Sequence, residues 1–360
     1  MTRMRDTDDK CIQIVRKVLR VLREPNVRVP DALKILAAVA ACAIVVACAA
    51  RLRPGAPVAG NGVLPKSVRV QVREGGRLVV RSVPLEDYVA GAAIAEFDPA
   101  NGNPDGVERM FEVQSIVART YAAMHLGRHA AEGFDLCSST HCQLFDPARL
   151  VRSKWSSAVT TAVSRTRGEL LFFHDAPARV FFHADCGGRT SSAADVWGGA
   201  PVAYLHGVRD EGAARRAHAD WHYATTREEL RDALNGDART RVGPSLDRIE
   251  VSARDGAGRA TEITLRGTRT VTVAGDLFRD VLSRSLGAKS IRSTLLTIRR
   301  RGDDFSFAGR GFGHGVGLCQ VGALARVTAG ASPTAVLEFY FPGTKLERAR
   351  PQDTARAGTP

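Results

Sequence analysis

The chain has 360 residues, of which 44% are hydrophobic and 25% charged, so it can bury a core and its composition does not indicate disorder. Its 51 basic and 38 acidic residues give a net charge of +13, and only seven of the basic residues are lysine. These values exclude a collagen, a coiled coil, a low-complexity tail and a polytopic membrane protein. A basic surface attracts nucleic acid, anionic lipid or an anionic cell wall, and charge alone does not choose among them.

The N-terminus predicts export. Residues 1–34 form a leader with nine basic and five acidic residues, and the sixteen residues at 35–50 carry no charge. That run is intermediate in length between the apolar region of a signal peptide and a membrane-spanning helix. Positive charge before an apolar run keeps the leader in the cytoplasm, so we expect everything after residue 50 to be exported.

The end of the apolar run allows three interpretations. The sequence VVAC at 45–48 resembles a bacterial lipobox, in which Cys48 would be lipidated and become the new N-terminus. The alternatives are an uncleaved signal anchor and ordinary cleavage after small residues. Residues 51–66 are rich in proline and glycine and predict a linker. We therefore expect a bacterial cell-envelope protein that is held at the membrane by its N-terminal segment.

The first elements after the linker are a hairpin and two helices. Alternating valines from residue 68, a Glu-Gly-Gly-Arg turn at 74–77 and a second apolar stretch predict the hairpin. Pro84 followed by two acidic residues predicts the start of a helix that carries Glu96 on its apolar stripe. Asp105, with Glu108 three residues later, predicts a second helix that runs to Gly127.

The second half of the chain continues this mixture. Thr226 and Glu229 predict the N-terminal cap of a helix that ends at 235–236, and residues 249–265 predict another hairpin. The glycine-rich residues 305–317 predict a loop, and residues 347–360 predict a flexible tail. Helices and antiparallel hairpins without regular βαβ units predict an α+β fold.

Glu96 is the first candidate for chemistry. Its position among apolar residues should desolvate the carboxylate and raise its pKa, which is what a general acid at neutral pH needs. The competing interpretation is a glutamate at a helix end that reaches water beside Asp98 and Pro99.

Cys137, His141 and Cys142 form the second candidate. Two thiolates and an imidazole within six residues are typical zinc ligands. The fourth ligand would be His125, His129, Cys186 or water. A disulfide or free thiols would explain the cysteines equally well, because the exported part has the even number of four cysteines.

Two further segments are dense in potentially reactive residues, HADCGGRT at 183–190 and GFGHGVGLCQ at 311–320. The second segment lacks the lysine that a phosphate-binding loop requires, which excludes such a loop. It also lacks the strand–helix context of a dinucleotide-binding site, which excludes that site. Cys/His nucleophile pairs within either segment would be only three or five residues apart in sequence, a separation that rarely orients such a pair. The glycines around His314 allow the backbone to approach a ligand closely.

Taken in order, these segments resemble the SpoIID/LytB family, which includes stage II sporulation protein D and the amidase enhancer. The resemblance covers residues 67–346, which we expect to form one SpoIID-like domain with a substrate groove. The matching stretches are VPLEDYVAGAAIAEF (83–97), VQSIVARTYAA (113–123), FDLCSSTHCQLF (134–145), HADCGGRTSSAADVWGG (183–199), GRGFGHGVGLCQVGALA (309–325) and FYFPGT (339–344).

The resemblance implies a peptidoglycan lytic transglycosylase. Such an enzyme cleaves the MurNAc–GlcNAc bond, preferably in strands stripped of peptides, and leaves a 1,6-anhydro end. The family's catalytic glutamate corresponds to Glu96. A single carboxylate suffices for this chemistry, because it can protonate the leaving oxygen and then deprotonate the sugar's own 6-hydroxyl, whereas most glycosidases need two.

The resemblance also implies roles for other residues. Those expected to bind or position the substrate are Arg119, Tyr121, Gln143, His314 and Gln320. The alternatives are that Tyr121 belongs to the core and that Arg119 only anchors a carboxylate. Zinc near Cys137, His141 and Cys142 would be structural, and no cofactor is needed for catalysis. Cys186 and Cys319 stand where the family often has serine. Two cysteines at these positions allow a Cys186–Cys319 disulfide or an enlarged metal site. The longer loop after Glu96 could bring Asp98 close enough to raise the pKa of Glu96 further.

Four functions compete at this point. The expected enzyme acts on peptidoglycan glycan strands. An activator would bind glycan without cutting it and would stimulate a cell-wall amidase. A zinc hydrolase lacks an acidic base beside the Cys/His cluster. A nucleic-acid partner is not expected, because an exported domain does not meet one.

Overall fold

The computed structural model describes residues 63–211 and 218–351. The leader at 1–34, the apolar segment at 35–50 with Cys48, and residues 51–62 of the predicted linker lie outside the described residues. The linker prediction was wrong at its end, because residues 63–64 form a strand. Among the helices within the described ranges, none combines the length and the apolar character needed to cross a membrane.

The first part of the chain mixes short strands with helices, as an α+β fold requires. β2 pairs antiparallel with β3 in the predicted hairpin and parallel with β4. The elements are β1 (Val63–Leu64), β2 (Ser67–Glu74), β3 (Arg77–Pro84), α1 (Leu85–Glu96), α2 (Pro104–Met124), a 3₁₀ turn (Ala130–Glu132), β4 (Leu136–Cys137), α3 (Pro147–Arg152), α4 (Ser156–Arg165), β5 (Glu169–Phe173), β6 (Ala176–Pro177), β7 (Phe182–His183) and α5 (Ala193–Trp197).

Helices α1 and α2 lie at the centre of the first hydrophobic core. Every residue of α1 from Tyr88 to Ala95 is buried, and α2 packs against α1, α4 and β5. The predicted start of α2 at Asp105 is slightly late. The side chain of Asn103 is the N-terminal cap and accepts a hydrogen bond from Gly106 N at 3.0 Å. The helix also ends at Met124, three residues before the predicted Gly127.

The middle of the chain forms a second hydrophobic core inserted into the first. Two three-stranded sheets, in the orders β11-β10-β9 and β12-β13-β8, enclose it together with two helices. Its elements are β8 (Asp220–Thr226), α6 (Arg227–Asn235), β9 (Leu246–Arg254), β10 (Ala260–Gly267), β11 (Thr270–Ala274), α7 (Gly275–Leu286), β12 (Leu296–Arg301) and β13 (Asp304–Arg310). The range 67–346 therefore contains two cores where the sequence predicted one domain.

The chain then returns to the first core. β14 (Leu318–Cys319) pairs parallel with β7, and α8 (Gln320–Thr328) and α9 (Pro333–Tyr340) follow. β15 (Lys345–Arg348) pairs antiparallel with β5, and β16 (Arg350–Pro351) pairs parallel with β1.

Two predictions about this half were wrong. The predicted loop at 305–317 is only partly one: residues 304–310 form the central strand of a sheet, because Phe305 and Phe307 alternate into the second core, while residues 311–317 lie outside strands and helices as predicted. Gly309 is needed in the strand because a Cβ there would collide with the Trp221 ring. The tail predicted from residue 347 is ordered at first, since Glu347 and Arg348 belong to β15 and residues 350–351 to β16. The rest of it, 352–360, lies outside the described ranges.

A buried ion pair joins α1 to α2. The Arg119 side chain is fully buried, and its Nη2 donates to Glu86 Oε2 at 2.6 Å while Nη1 donates to the Glu169 carbonyl at 3.1 Å. Glu86 is in the first turn of α1, where a carboxylate also interacts favourably with the helix dipole.

Removing one partner of this pair should destabilise the fold strongly. In Glu86→Ala, the Arg119 charge stays buried without its carboxylate, and we expect the free energy of unfolding to fall by about 3 kcal/mol. Urea denaturation measures this change. The matched control is Glu108→Ala, which removes a carboxylate from the exposed Arg165 and should cost less than about 1 kcal/mol. Equal losses in the two variants would contradict the argument.

Candidate active site

Glu96 is the last residue of helix α1. The helix ends there because Phe97 is extended and Asp98-Pro99 follows, and the residue before a proline disfavours the helical conformation. Glu96 Oε1 accepts a short hydrogen bond of 2.6 Å from the backbone N–H of Leu144. This contact fixes the carboxyl group against the segment that follows the cysteine cluster.

Burial raises the pKa of the Glu96 carboxyl to about 7. The hydrogen bond from Leu144 and the positive charge of Arg149 act in the opposite direction, but they do not offset the desolvation. The prediction of a desolvated carboxylate with a raised pKa is therefore confirmed. A carboxyl group with this pKa exists in both protonation states near neutral pH, which suits a group that donates and later accepts a proton.

The backbone around Glu96 is held by two side chains from other elements. Gln320 Nε2 donates to the Glu96 carbonyl at 3.2 Å and to Gln114 Oε1 at 3.3 Å. Arg149 Nη1 donates to the Ala95 carbonyl at 3.1 Å. These donors satisfy carbonyls at the end of α1 that have no partner within the helix. Gln320 thereby ties the start of α8 to both central helices.

Three of the residues expected to bind substrate are enclosed by protein. Arg119 is fully buried against Glu86, as described above. Tyr121 is 6% exposed and its hydroxyl accepts from Arg128, while its ring stacks on His125. Gln143 is 1% exposed and its amide donates to the Tyr88 hydroxyl and the Ala118 carbonyl. In this structure the polar groups of all three side chains contact protein groups.

His314 belongs to a group of rings at the edge of the first core. Its ring lies 5.0 Å from Trp197 and 5.4 Å from His183, centroid to centroid. Burial lowers the pKa of His314 to about 4, so the imidazole is neutral. Its Nδ1 accepts from the Val316 N–H at 3.1 Å, which places the proton on Nε2. Trp197 and the nearby Phe312 are both partly exposed.

Asp98 does not have the predicted effect on Glu96. Its carboxylate accepts from the Ser153 hydroxyl at 2.9 Å, and it is not among the causes of the raised pKa of Glu96. The longer loop is held elsewhere as well, because Trp155 Nε1 donates to the Pro99 carbonyl at 2.7 Å. Within the described residues, Glu96 therefore has no second carboxylate that shifts its pKa.

The cysteine cluster is brought together as predicted, and its fourth member is His129. Ligand atoms of His129, Cys137, His141 and Cys142 all lie within 4.8 Å of one another. Cys142 Sγ is 3.4 Å from His129 Nε2, and Cys137 Sγ is 3.7 Å from His141 Nδ1. Glu132 contacts the other nitrogen of His129 at 3.0 Å, so a carboxylate orients that ring.

The other candidates for the fourth position lie elsewhere. His125 Nδ1 faces the Tyr121 carbonyl, and Cys186 is in a separate cluster. The hydrogen bond between the two thiols lowers the pKa of Cys137 and raises that of Cys142, so the pair shares its proton unevenly. All four cysteines of the described ranges are free thiols. A Cys₂His₂ donor set of this kind fits zinc, since soft thiolates and imidazoles select that ion.

Sequence reasoning found Glu96 and the cysteine cluster but missed the hydrogen bond from Leu144. A backbone donor has no signal in the sequence. It also missed Asp185, Asp210 and His218, which come together with Cys186 and Cys319 only in the folded chain.

Comparisons with known proteins identify two sequence profiles that match this chain. A sequence profile described as stage II sporulation protein matches residues 73–173, a range that includes α1, α2 and the cysteine cluster. A second profile, described as a domain of unknown function, matches residues 213–317 and so covers the inserted core.

Relatives match over much longer stretches. An uncharacterized protein of Brachyspira hyodysenteriae is 30% identical over 270 residues, which make up 75% of this chain and 68% of that protein. Stage II sporulation protein D of Bacillus subtilis is 23% identical over 288 residues, or 75% of this chain and 76% of that protein. The amidase enhancer of B. subtilis is 24% identical over 280 residues, which are 65% of this chain but only 37% of the enhancer. Together with the profile match across Glu96 and the cysteine cluster, these relationships show that the chain belongs to the SpoIID/LytB family.

Proposed function

We propose that this protein is a lytic transglycosylase that cleaves the MurNAc–GlcNAc bond of peptidoglycan and leaves a 1,6-anhydro end. The observation that carries the proposal is Glu96, a fixed and desolvated carboxyl group with a pKa of about 7. The family relationship supplies the substrate class, and the net charge of +13 favours an anionic wall.

One carboxyl group performs both proton transfers in this proposal. Oε1 accepts the Leu144 N–H, so the proton of the neutral acid resides on Oε2. Oε2 donates that proton to the glycosidic oxygen as the bond breaks. The resulting carboxylate then removes the proton of the sugar's own 6-hydroxyl, which attacks the anomeric carbon and closes the anhydro ring. Because the nucleophile is part of the substrate, it is already close to the reacting carbon and no second carboxylate is needed.

The remaining expectations are part of the same proposal. His314, with the exposed faces of Trp197 and Phe312 beside it, would contact the glycan, while Gln320 would position Glu96. Residues 35–50 would hold the protein in the cell envelope, with or without lipidation of Cys48. Zinc held by His129, Cys137, His141 and Cys142 would order the segment that leads to Leu144, and it would contribute folding free energy as structural zinc does.

A second candidate is an activator that binds peptidoglycan and stimulates a cell-wall amidase. The observation in its favour is the relationship to a protein named amidase enhancer. Against it stands the desolvated carboxyl group, which destabilises the fold when ionised and has no use in a protein that only binds.

Glu96→Gln tests the proposal directly. The amide keeps the shape of the side chain and has no proton to transfer, so we expect cleavage of peptide-stripped glycan strands to fall at least about 100-fold while glycan binding persists. Mass spectrometry of the digest measures this, and products one water lighter than hydrolysis products identify the anhydro end.

Asp98→Asn is the matched control, because it removes the neighbouring carboxylate and should leave cleavage within a few-fold of the native chain. Full-mass products would mean hydrolysis and would overturn the proposal. Retained glycan binding without any cleavage by the native chain would favour the activator.

The pH dependence follows from the same carboxyl group. The general acid must be protonated, so the cleavage rate should fall as pH rises above about 7. A rate that is unchanged from pH 6 to pH 9 would contradict a role for Glu96 as the acid.

The free energy of unfolding should depend on the titration of the same carboxyl group, whether or not the protein is active. Because folding raises the pKa of Glu96, its protonated form stabilises the fold below the unfolded pKa, and that contribution is lost as pH rises from about 4.5 to about 7. Between pH 4 and pH 8 the native chain should therefore lose about 3 kcal/mol of stability that Glu96→Gln does not lose, at about 1.4 kcal/mol per pKa unit.

Metal content tests the cysteine cluster. We expect the full-length chain to bind zinc there, and Cys142→Ser should remove one zinc per chain and lower the melting temperature. Ser138→Ala in the same segment leaves the four donors intact and should keep the metal. An unchanged zinc content in Cys142→Ser would exclude the site.

A further inference from the structure

A second cluster of potential metal ligands lies at the junction of the two cores, and the proposed chemistry does not use it. Ligand atoms of Asp185, Cys186, His218 and Cys319 lie within 4.8 Å of one another, and all four residues are buried. Both cysteines are fully buried free thiols. They come from distant parts of the chain, one following β7 and the other ending β14.

Backbone N–H groups surround the two sulfurs. Cys319 Sγ accepts from Cys186 N at 3.2 Å and from Gly322 N at 3.4 Å, and Cys186 Sγ accepts from Gly188 N at 3.3 Å. Cys319 is also the N-terminal cap of α8, at the positive end of the helix dipole. A neutral thiol is a weak acceptor, whereas a thiolate is stabilised by such donors, so these N–H groups would stabilise sulfurs that bind a cation.

His218 is oriented toward the same space by a carboxylate. Asp185 Oδ1 lies 2.6 Å from His218 Nδ1, and Asp185 Oδ2 accepts from Ala219 N at 2.9 Å. Cys186 Sγ lies 3.9 Å from His218 Nε2. His218 Nε2 lies 3.4 Å from the Asp210 carbonyl. With Nδ1 donating to a carboxylate, Nε2 can bind a metal once it gives up its proton, as in many zinc sites.

Asp210 is the carboxylate that completes the set. Its Oδ2 lies 3.5 Å from Cys186 Sγ and accepts from the Tyr340 hydroxyl, while Oδ1 pairs with Arg326 at 2.8 Å. A Cβ at position 322 would collide with this carboxylate, so Gly322 allows its close approach. Asp210 is itself 1% exposed.

We propose that Cys186, Cys319, His218 and Asp210 form a second metal site, closed to solvent, that takes a thiolate-preferring divalent cation such as zinc. Asp185 is a positioning residue, because it acts on the metal through His218. The distances from Cys186 Sγ to His218 Nε2 (3.9 Å) and to Asp210 Oδ2 (3.5 Å) are close to those between two ligands of one tetrahedral ion, and the soft sulfurs exclude magnesium and calcium as the preferred ion. Binding replaces the protons of the two thiols and the proton on His218 Nε2 by the cation and releases them to solvent.

A disulfide explains these observations less well. It would account for the two sulfurs but not for the imidazole and the carboxylates directed at them. Four protein donors with no solvent access are typical of structural zinc.

The location gives the metal a structural role. His218 and Ala219 lead directly into β8 of the inserted core, and Cys319 precedes Gln320, which bonds to the Glu96 carbonyl. A cation here would join the inserted core to the first core and fix the start of α8. The proposal does not depend on the transglycosylase activity, because its test measures metal.

Zinc content of the full-length chain in detergent tests the site. In a Cys137→Ser/Cys142→Ser background, which removes the first cluster, we expect one zinc per chain after loading under reducing conditions. Adding Cys186→Ser and Cys319→Ser should remove it. Adding Cys11→Ser and Cys42→Ser instead, which changes two leader cysteines, should leave it in place. No zinc in the background chain, or the same content in all three, would overturn the proposal.

A spectroscopic measurement keeps the test valid if the quadruple variant fails to fold. Cobalt(II) loaded into the Cys137→Ser/Cys142→Ser chain should give thiolate-to-metal charge-transfer absorption and the visible bands of a tetrahedral ion. Absence of these bands from a folded chain would overturn the proposal. Non-reducing digestion of the same chain as isolated should yield Cys186 and Cys319 in separate peptides, and a disulfide-linked pair would also overturn it.

Discussion

Burial of helix α1 is the constraint on which the first core depends. From Tyr88 to Ala95 the helix has no exposed residue, so the polar groups at its two ends must find hydrogen-bond partners within the protein. Glu86 does so through Arg119, and the carbonyls of Ala95 and Glu96 do so through Arg149 and Gln320. The Glu96 carboxyl is desolvated and receives only one backbone hydrogen bond, so its pKa stays raised. The same burial that organises the core thus produces the reactive group.

The segments that meet at Glu96 come from distant parts of the chain, and each is held by its own polar cluster. The segment containing Leu144 follows the His129–Cys142 cluster, and the helix containing Gln320 begins at Cys319 of the second cluster. Each cluster lies one or two residues from a residue that contacts Glu96. Ordering these clusters would therefore restrict the motion of the carboxyl group without any direct contact to it.

Local signals predicted local structure well in this chain. The valine alternation gave the first hairpin, and Thr226 with Glu229 forms the predicted capping box. Local patterns gave wrong predictions where contacts with distant parts of the chain decide the role of a residue. The glycine-rich residues 305–317 predicted a loop, but Gly309 is in a central strand, where the Trp221 ring occupies the space of its missing side chain. Arg119 was expected at the substrate, but a fully buried guanidinium paired with Glu86 serves the core instead.

The sequence by itself determined the family, the helix that carries Glu96, and the six-residue grouping of Cys137, His141 and Cys142, because each of these depends on neighbours in the chain. Only the tertiary structure decided that the range 67–346 holds two cores, that Asp98 turns toward Ser153, and that His129 completes the first cluster. The second cluster shows the reason most clearly. Cys186 and Cys319 are more than a hundred positions apart, and no periodicity or spacing records which distant residues a folded chain brings within hydrogen-bonding distance.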